Sequence, residues 1–194
     1  MKNKIYLIII ALFSVCINQY FANRGVFPID NFLIFDAATN ITYGNHPFKD
    51  YWLITGPFLD YIQSLFFLLF GINWFSYVLH ASLINMAFAL FSFYFFLKIG
   101  LKNYYAFLYS LGVSILGYPS IGTPFIDHNS VIFSIMAMYS ISLAILLQKN
   151  FFWFLTPVLI SISFFSKQIP SSYLLLLFFI VFFYFIFKRK ISNK

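Results

Sequence analysis

The sequence predicts an all-α protein that crosses a membrane several times. Of its 194 residues, 62% are hydrophobic and only 9% are charged, whereas roughly a quarter of the residues in a soluble domain carry a charge. Long apolar runs recur along the whole chain and are separated by short polar segments. Composition and spacing together favour a polytopic membrane protein in which residues 1–194 form a single transmembrane module.

The number of membrane spans is predicted from the apolar runs, because a helix needs about 20 apolar residues to cross the hydrocarbon layer. A seventh run, Leu53–Phe70, is ambiguous because it contains Pro57, Asp60 and Gln63. The six runs that we expect to span are Ile5–Ala22, Trp74–Leu97, Tyr104–Tyr118, Ser130–Leu147, Phe151–Ser166 and Ser171–Phe187.

The distribution of charge resolves the ambiguity of Leu53–Phe70. Basic residues near span ends prefer the cytoplasm. If Leu53–Phe70 lies in the outer interface, both termini and most of the 12 basic residues are cytoplasmic. The five acidic residues were not used in this choice, and all of them then fall on the outer side. The first outer loop accordingly covers about residues 23–73.

Two interfacial helices are predicted within this outer loop. The first begins near Asp30, whose carboxylate is a good N-cap, and it stops at Gly44. The second covers Pro57–Phe70 and ends at Gly71.

The net charge of +7 does not indicate a nucleic-acid partner, because the basic residues are scattered beside apolar runs as membrane anchors are. The single cysteine, Cys16, cannot form an internal disulfide and leaves the redox compartment open.

Polar residues from separate segments are predicted to meet at the outer face. The segments are the start of the outer loop, the stretch "GTPFIDHNS" and the stretch "FFSKQIP". Transfer of a sugar from a lipid phosphate needs a base for the acceptor hydroxyl and a cation for the leaving phosphate. The residues expected to supply them, or to bind substrate nearby, are Asp30, Asn31, Lys49, Asp50, Asp127, His128, Lys167 and Gln168.

The ordered set of motifs resembles the GT-C-type glycosyltransferases, a group that includes the protein mannosyltransferases and the transferases that add aminoarabinose or galacturonic acid to lipid A. "IDNFLIFDAATNITYGNHPFKDYW" is similar to their first outer loop, and "GTPFIDHNS" and "FFSKQIP" are similar to their second acidic loop and later lysine segment. The resemblance covers about residues 1–187. It places Asp30 as the catalytic base and Asp127 as the acid of the second loop.

The resemblance also implies substrates and a location. These are a polyprenyl-phosphate-linked sugar as donor, a lipid or glycan as acceptor, and the inner membrane of a bacterium. Some members also hold a divalent metal near a pair of acids, and Asn31 stands where the second acid of that pair is usual, which weakens such a site. No cofactor is predicted, and a divalent metal stays open as the alternative. Relatives are commonly at least twice this length, so we expect a truncated product, a minimal member, or a chain whose missing half comes from a second subunit.

Other interpretations of these residues stay open at this stage. Asp30 and Asp127 could only cap helices, and Lys167 could extend its amine to the interface. Asp60 is expected to be a solvated charge, and His80 to hydrogen-bond a neighbouring helix. A non-enzymatic role, such as a carrier-lipid translocation component or an accessory subunit of a glycan assembly system, is the alternative function.

Overall fold

The computed structural model describes residues 2–25, 28–53, 55–117 and 122–192, with side chains described except at 2, 28–31, 181–182 and 185–192. Within these ranges the chain is all-α and contains no named strand. The helices are α1 (Lys2–Ala22), α2 (Pro28–Thr42), α3 (Phe58–Phe70), α4 (Trp74–Lys98), α5 (Asn103–Gly117), α6 (Ile126–Leu147), α7 (Asn150–Ser166) and α8 (Gln168–Ser192).

Three of these helices, α1, α4 and α6, are long and apolar enough to cross a membrane. Helices α5 and α7 have 15 and 17 residues, and at 1.5 Å per residue they are shorter than the roughly 30 Å hydrocarbon layer. Helix α8 has 25 residues, and its stretch 168–180, where the side chains are described without a gap, is apolar. Three of the six predicted spans, α1, α4 and α6, therefore have the length and hydropathy that a span needs. The other three predicted spans are helices at the expected places, α5, α7 and α8.

The segment between α1 and α4 leaves and returns at the same end of the helix bundle. Trp74 Nε1 donates a hydrogen bond to the carbonyl of Ala22 at 3.1 Å, which joins the start of α4 to the end of α1. At the other end, Asn103 Nδ2 donates to Asn3 Oδ1 at 2.8 Å. Because α1 and α4 are antiparallel, the chain between them starts and ends at the same end of the bundle, and α3 has 13 residues, fewer than a membrane span needs.

The two ends of the bundle differ in charge. One end, here called the basic end, carries Lys4 at the start of α1, Lys98 at the end of α4 and Lys102 before α5. The other, here called the acidic end, carries α2, α3, the start of α6 and the end of α7. The described acidic residues lie at the acidic end, in agreement with the predicted segregation of the carboxylates.

The bundle buries many small polar side chains among its apolar ones and exposes large apolar side chains, which a soluble protein does not do. Buried serine and asparagine side chains join the helices: Asn18 Nδ2 donates to Ser82 Oγ at 2.9 Å, and Asn85 Nδ2 donates to the carbonyl of Ser114 at 3.0 Å. Large aliphatic and aromatic side chains are exposed on all long helices. Small polar residues between helices and an apolar exterior are typical of proteins embedded in lipid.

Helix α2 begins two residues before the predicted N-cap. Its first residue is Pro28 and not a residue after Asp30, so Asp30 lies inside the first turn. A proline at the first helical position has no amide hydrogen to leave unpaired and has a φ angle suited to a helix, which explains the earlier start. Gly44 and Gly71 follow the ends of α2 and α3 with φ of +89° and +83°, as predicted from the sequence.

Candidate functional site

Lys167 and Asp127 form an ion pair at the acidic end, although 40 residues separate them in the chain. Asp127 lies in the first turn of α6, and Lys167 directly follows α7. The carboxylate side chain is 52% exposed and the lysine 28% exposed, so a bound molecule can reach both groups.

Serine contacts between α6 and α7 hold this ion pair in place. Ser130 Oγ donates to the carbonyl of Lys167 at 2.9 Å, and Ser163 Oγ donates to the carbonyl of Ser130 at 2.7 Å. Ser134 Oγ and Ser163 Oγ share a further bond of 2.8 Å. Because these side chains are small, the two helices approach closely enough for Asp127 to meet Lys167.

This geometry does not support the alternative roles, in which Asp127 only caps a helix and Lys167 only extends its amine to the interface. The N-cap of α6 is Phe125, which has extended backbone and makes no side-chain cap, so Asp127 does not cap this helix. Lys167 does not extend alone toward the interface, because its ammonium group is bonded to the Asp127 carboxylate. Charged side chains at a membrane edge commonly pair with one another in this way.

His128 and Gln168 flank the ion pair but have structural contacts of their own. His128 Nε2 donates to the carbonyl of Gly117 at 2.8 Å and so joins α6 to the end of α5. Gln168 is exposed at the start of α8, and its carbonyl accepts hydrogen bonds from Ser171 and Ser172.

Lys49 and Asp50 form a second ion pair, with 3.7 Å between Lys49 Nζ and Asp50 Oδ1. The other carboxylate oxygen of Asp50 accepts a hydrogen bond from the backbone N–H of His46 at 2.8 Å, which closes the turn between α2 and α3. Lys49 is 75% exposed. Among the described residues, no ion pair links this turn to Asp127 or Lys167.

Asp30 and Asn31 lie in the first turn of α2, but their side chains are outside the described residues. Their predicted catalytic and binding roles therefore stay predictions. Arg24, the basic residue before α2, stacks on the ring of Tyr20 with 4.1 Å between its guanidinium carbon and the ring centroid.

An open cavity of about 650 Å³ lies between α2 and the chain that leads to α3. Its volume falls within the range usual for small-molecule sites. Asp36 contributes the carboxylate of the lining, and the exposed indole of Trp52 contributes a flat aromatic surface. The remaining lining residues are Phe32, Leu33, Phe35, Ala37, Tyr51, Leu53 and Thr55.

The predicted environment of Asp60, which was not among the predicted site residues, was wrong. Asp60 was expected to be a solvated charge, but it is 3% exposed on the face of α3 that packs into the bundle. Burial raises the pKa of its carboxyl group from 3.8 to about 7. The signal in the sequence was the spacing of Asp60, Gln63 and Ser64, which places three polar side chains on one face of an otherwise apolar helix.

His80 makes the predicted hydrogen bond to a neighbouring helix. Its Nδ1 lies 2.9 Å from Oε1 of Gln63 on α3, and the ring of Phe66 stacks on the imidazole at 5.2 Å. Since the amide oxygen of Gln63 is an acceptor, Nδ1 carries the proton in this arrangement.

In the part of the chain that the structure describes, no group of three or more His, Cys, Asp or Glu side chains could hold a metal ion. No protein-family model matches the chain, and no curated protein or solved structure is significantly similar to it. The fold and site define a helical protein with three helices that are long and apolar enough to cross a membrane, and with its described carboxylates at one end. The resemblance to GT-C-type glycosyltransferases remains a prediction from the motifs.

Proposed function

We propose that the chain is a glycosyltransferase module of the GT-C type, which moves a sugar from a polyprenyl-phosphate carrier to an acceptor on the outer face of the membrane. The observation that carries this proposal is the meeting of Asp127 and Lys167 at the acidic end. A carboxylate and an ammonium group side by side are the two charges that the transfer requires.

The proposed reaction is an inverting displacement at the anomeric carbon of the donor sugar. The acceptor oxygen forms a bond to this carbon while the bond to the phosphate oxygen breaks, and the electron pair of that bond stays with the polyprenyl phosphate. A carboxylate, Asp127 or Asp30, takes the proton of the acceptor hydroxyl. Lys167 turns from Asp127 to the phosphate, which both stabilises the leaving group and frees the carboxylate.

The cavity beside α2 supports this proposal as a place for a sugar. Asp36 can accept hydrogen bonds from sugar hydroxyls, and Trp52 offers a flat apolar surface to a pyranose ring. Lys49 and Asp50 lie on the same loop, where they can bind the acceptor or the phosphate. In this proposal six helices span the bilayer, the termini and the basic end are cytoplasmic, and the membrane is a bacterial inner membrane.

The experiment compares the glycolipids and glycans of cells that express the chain with those of cells that express single variants. We expect Asp127→Asn and Lys167→Met each to reduce the transferred sugar at least about 100-fold, since each removes a charge used in the transition state. Lys102→Met, which removes a cation from the basic end, serves as the matched control and should leave the profile unchanged.

The outcome also separates the two functions that the sequence left open. If mass spectrometry shows the same glycan profile with and without the chain, while the protein is present in the membrane, the transferase proposal fails. A normal profile in Asp127→Asn, together with loss of a partner complex, would favour an accessory subunit.

A further inference from the structure

Helix α3 buries its polar face and exposes its apolar face, the reverse of an amphipathic helix on the surface of a soluble protein. Its buried face contains the polar residues Asp60, Gln63 and Ser64 together with Leu59 and Phe67. Its outer face is apolar, with exposed side chains at Tyr61, Leu65, Leu68, Leu69 and Phe70. In lipid this arrangement is favourable, but it commits a carboxyl group to the packed interior.

Asp60 is buried on the face of α3 that also carries the apolar side chains of Leu59 and Phe67. Leu59 and Phe67 of α3 pack in one cluster with Ile34 and Ala38 of α2 and Tyr77 of α4. In the described part of the chain Asp60 Oδ2 has no hydrogen-bond partner. A buried carboxylate without a partner is costly, whereas the protonated acid is tolerated.

Among the described residues Asp60 forms no ion pair. The groups whose titration its charge affects are the phenols of Tyr51 in the loop and Tyr77 on α4. Lys49, on the same loop as Tyr51, is paired with Asp50. Lys167 is bonded to Asp127. Burial and then the charge of Asp60 raise the pKa of Tyr51 to about 12, so this phenol is neutral at physiological pH. Since a phenol carries no positive charge in either protonation state, Tyr51 does not balance the charge of a carboxylate.

We propose that Asp60 is a proton-binding site that controls whether α3 stays packed in the bundle. The protonated carboxyl group lets the polar face of α3 remain buried against α2 and α4. Loss of the proton leaves an unpaired charge in this interface, and the first turns of α3 then move outward so that water can reach the carboxylate. The proposal does not depend on the proposed sugar transfer.

The direction of the pH dependence follows from linkage. Because burial raises the pKa of Asp60 from 3.8 to about 7, packed α3 binds the proton more tightly than released α3. Packing is thus most favourable below about pH 4, weakens as the pH rises, and reaches its weakest value above about pH 7.

The test uses the accessibility of a cysteine on the buried face of α3, in the full chain in lipid nanodiscs. Ser64, which is 4% exposed, is replaced by cysteine in a Cys16→Ser background. The rate of modification by a water-soluble thiol reagent is measured from pH 5.5 to pH 8.5, with Asp60 and with Asp60→Asn. The rate measured with Asp60 is divided by the rate measured with Asp60→Asn, and this ratio removes the effect of the ionisation of the reporter thiol.

We expect this ratio to rise at least about tenfold between the two pH limits, with a plateau above about pH 7. Lys102→Met, which removes a charge at the basic end and so far from α3, should leave the pH dependence of the unchanged chain intact. A ratio that stays within about twofold across the range overturns the proposal.

A second measurement keeps the test decisive if Asp60→Asn does not fold. Infrared difference spectra of the chain with Asp60 should show one protonated carboxyl group that loses its proton near pH 7, in step with the modification of the reporter thiol in Ser64→Cys. If every carboxyl group in the chain titrates below about pH 5, as solvated aspartates do, the proposed proton site is excluded.

Discussion

Gly56 lies directly against the main chain of Phe165, so that a Cβ atom at position 56 would stand 1.8 Å from the carbonyl oxygen of Phe165. The amide of Gly56 also donates a hydrogen bond to the carbonyl of Ser166 at 3.3 Å. This contact fixes the chain that enters α3 to the end of α7, one residue before Lys167.

Gly56→Ala should therefore destabilise the chain by at least about 2 kcal/mol, because the obstructing atoms belong to the backbone and cannot rotate away. Gly112→Ala is the matched control, since nothing lies within 4 Å of a Cβ at that position. It should stabilise α5 by about 0.5–1 kcal/mol, because alanine favours a helix interior over glycine. Thermal unfolding in detergent measures both effects, and equal stabilities would contradict the contact.

The hydrogen bond between Gln63 and His80 should show strong coupling in a double-mutant cycle. Gln63→Leu leaves the buried Nδ1–H of His80 without its acceptor and should cost about 1–3 kcal/mol. Adding His80→Leu removes that unpaired donor, so the double variant should lose less than the sum of the single losses. Additive losses would show that the two side chains do not interact in the membrane.

Close packing of α6 on α7 depends on the small size of Ser163. Ser163→Leu should separate the helices and cost at least about 2 kcal/mol, because the side chain is fully buried between them. Ser142→Leu is the control on α6: Ser142 is exposed, and its hydroxyl bonds only within its own helix, to Met138 O at 2.8 Å. A stability loss of similar size in both variants would contradict an interface at Ser163.

The two ends of the bundle should be reachable from opposite sides of the membrane. In the Cys16→Ser background, the single variants Asn45→Cys and Gln168→Cys should react with an impermeant reagent from one side, and Lys102→Cys from the other. Intact cells and inverted vesicles provide the two measurements. Labelling of positions 45 and 168 from different sides would contradict the antiparallel order of α1, α4 and α7.

Much of the helix order was predictable from apolar runs and charge. The predicted run Trp74–Leu97 became α4, Trp74–Lys98, and the predicted interfacial helix Pro57–Phe70 became α3, Phe58–Phe70. These boundaries are local, because apolar length and glycine or proline breakers act within a few residues. The approach of Asp127 to Lys167 was also expected, because the helix order alone brings the start of α6 next to the end of α7.

The caps and the contacts of individual charges were less predictable. Asp30 was expected to begin α2, but Pro28 does so, and Asp127 was a candidate cap of α6 but bonds Lys167. Both corrections concern the same kind of residue. A carboxylate near a helix start can bind the backbone or a nearby cation, and the cation comes from a distant part of the chain.

The sequence by itself determined the helical class, the places of the helices and the gathering of the described carboxylates at one end, because these follow from local hydropathy and from the order of charges along the chain. Only the tertiary structure decided that Asp60 points into the bundle and that Gln63 meets His80. The pattern of α3 shows a polar face and an apolar face but does not say which is covered. That choice depends on the packing of α2 and α4 and on an exterior in which apolar side chains are favoured.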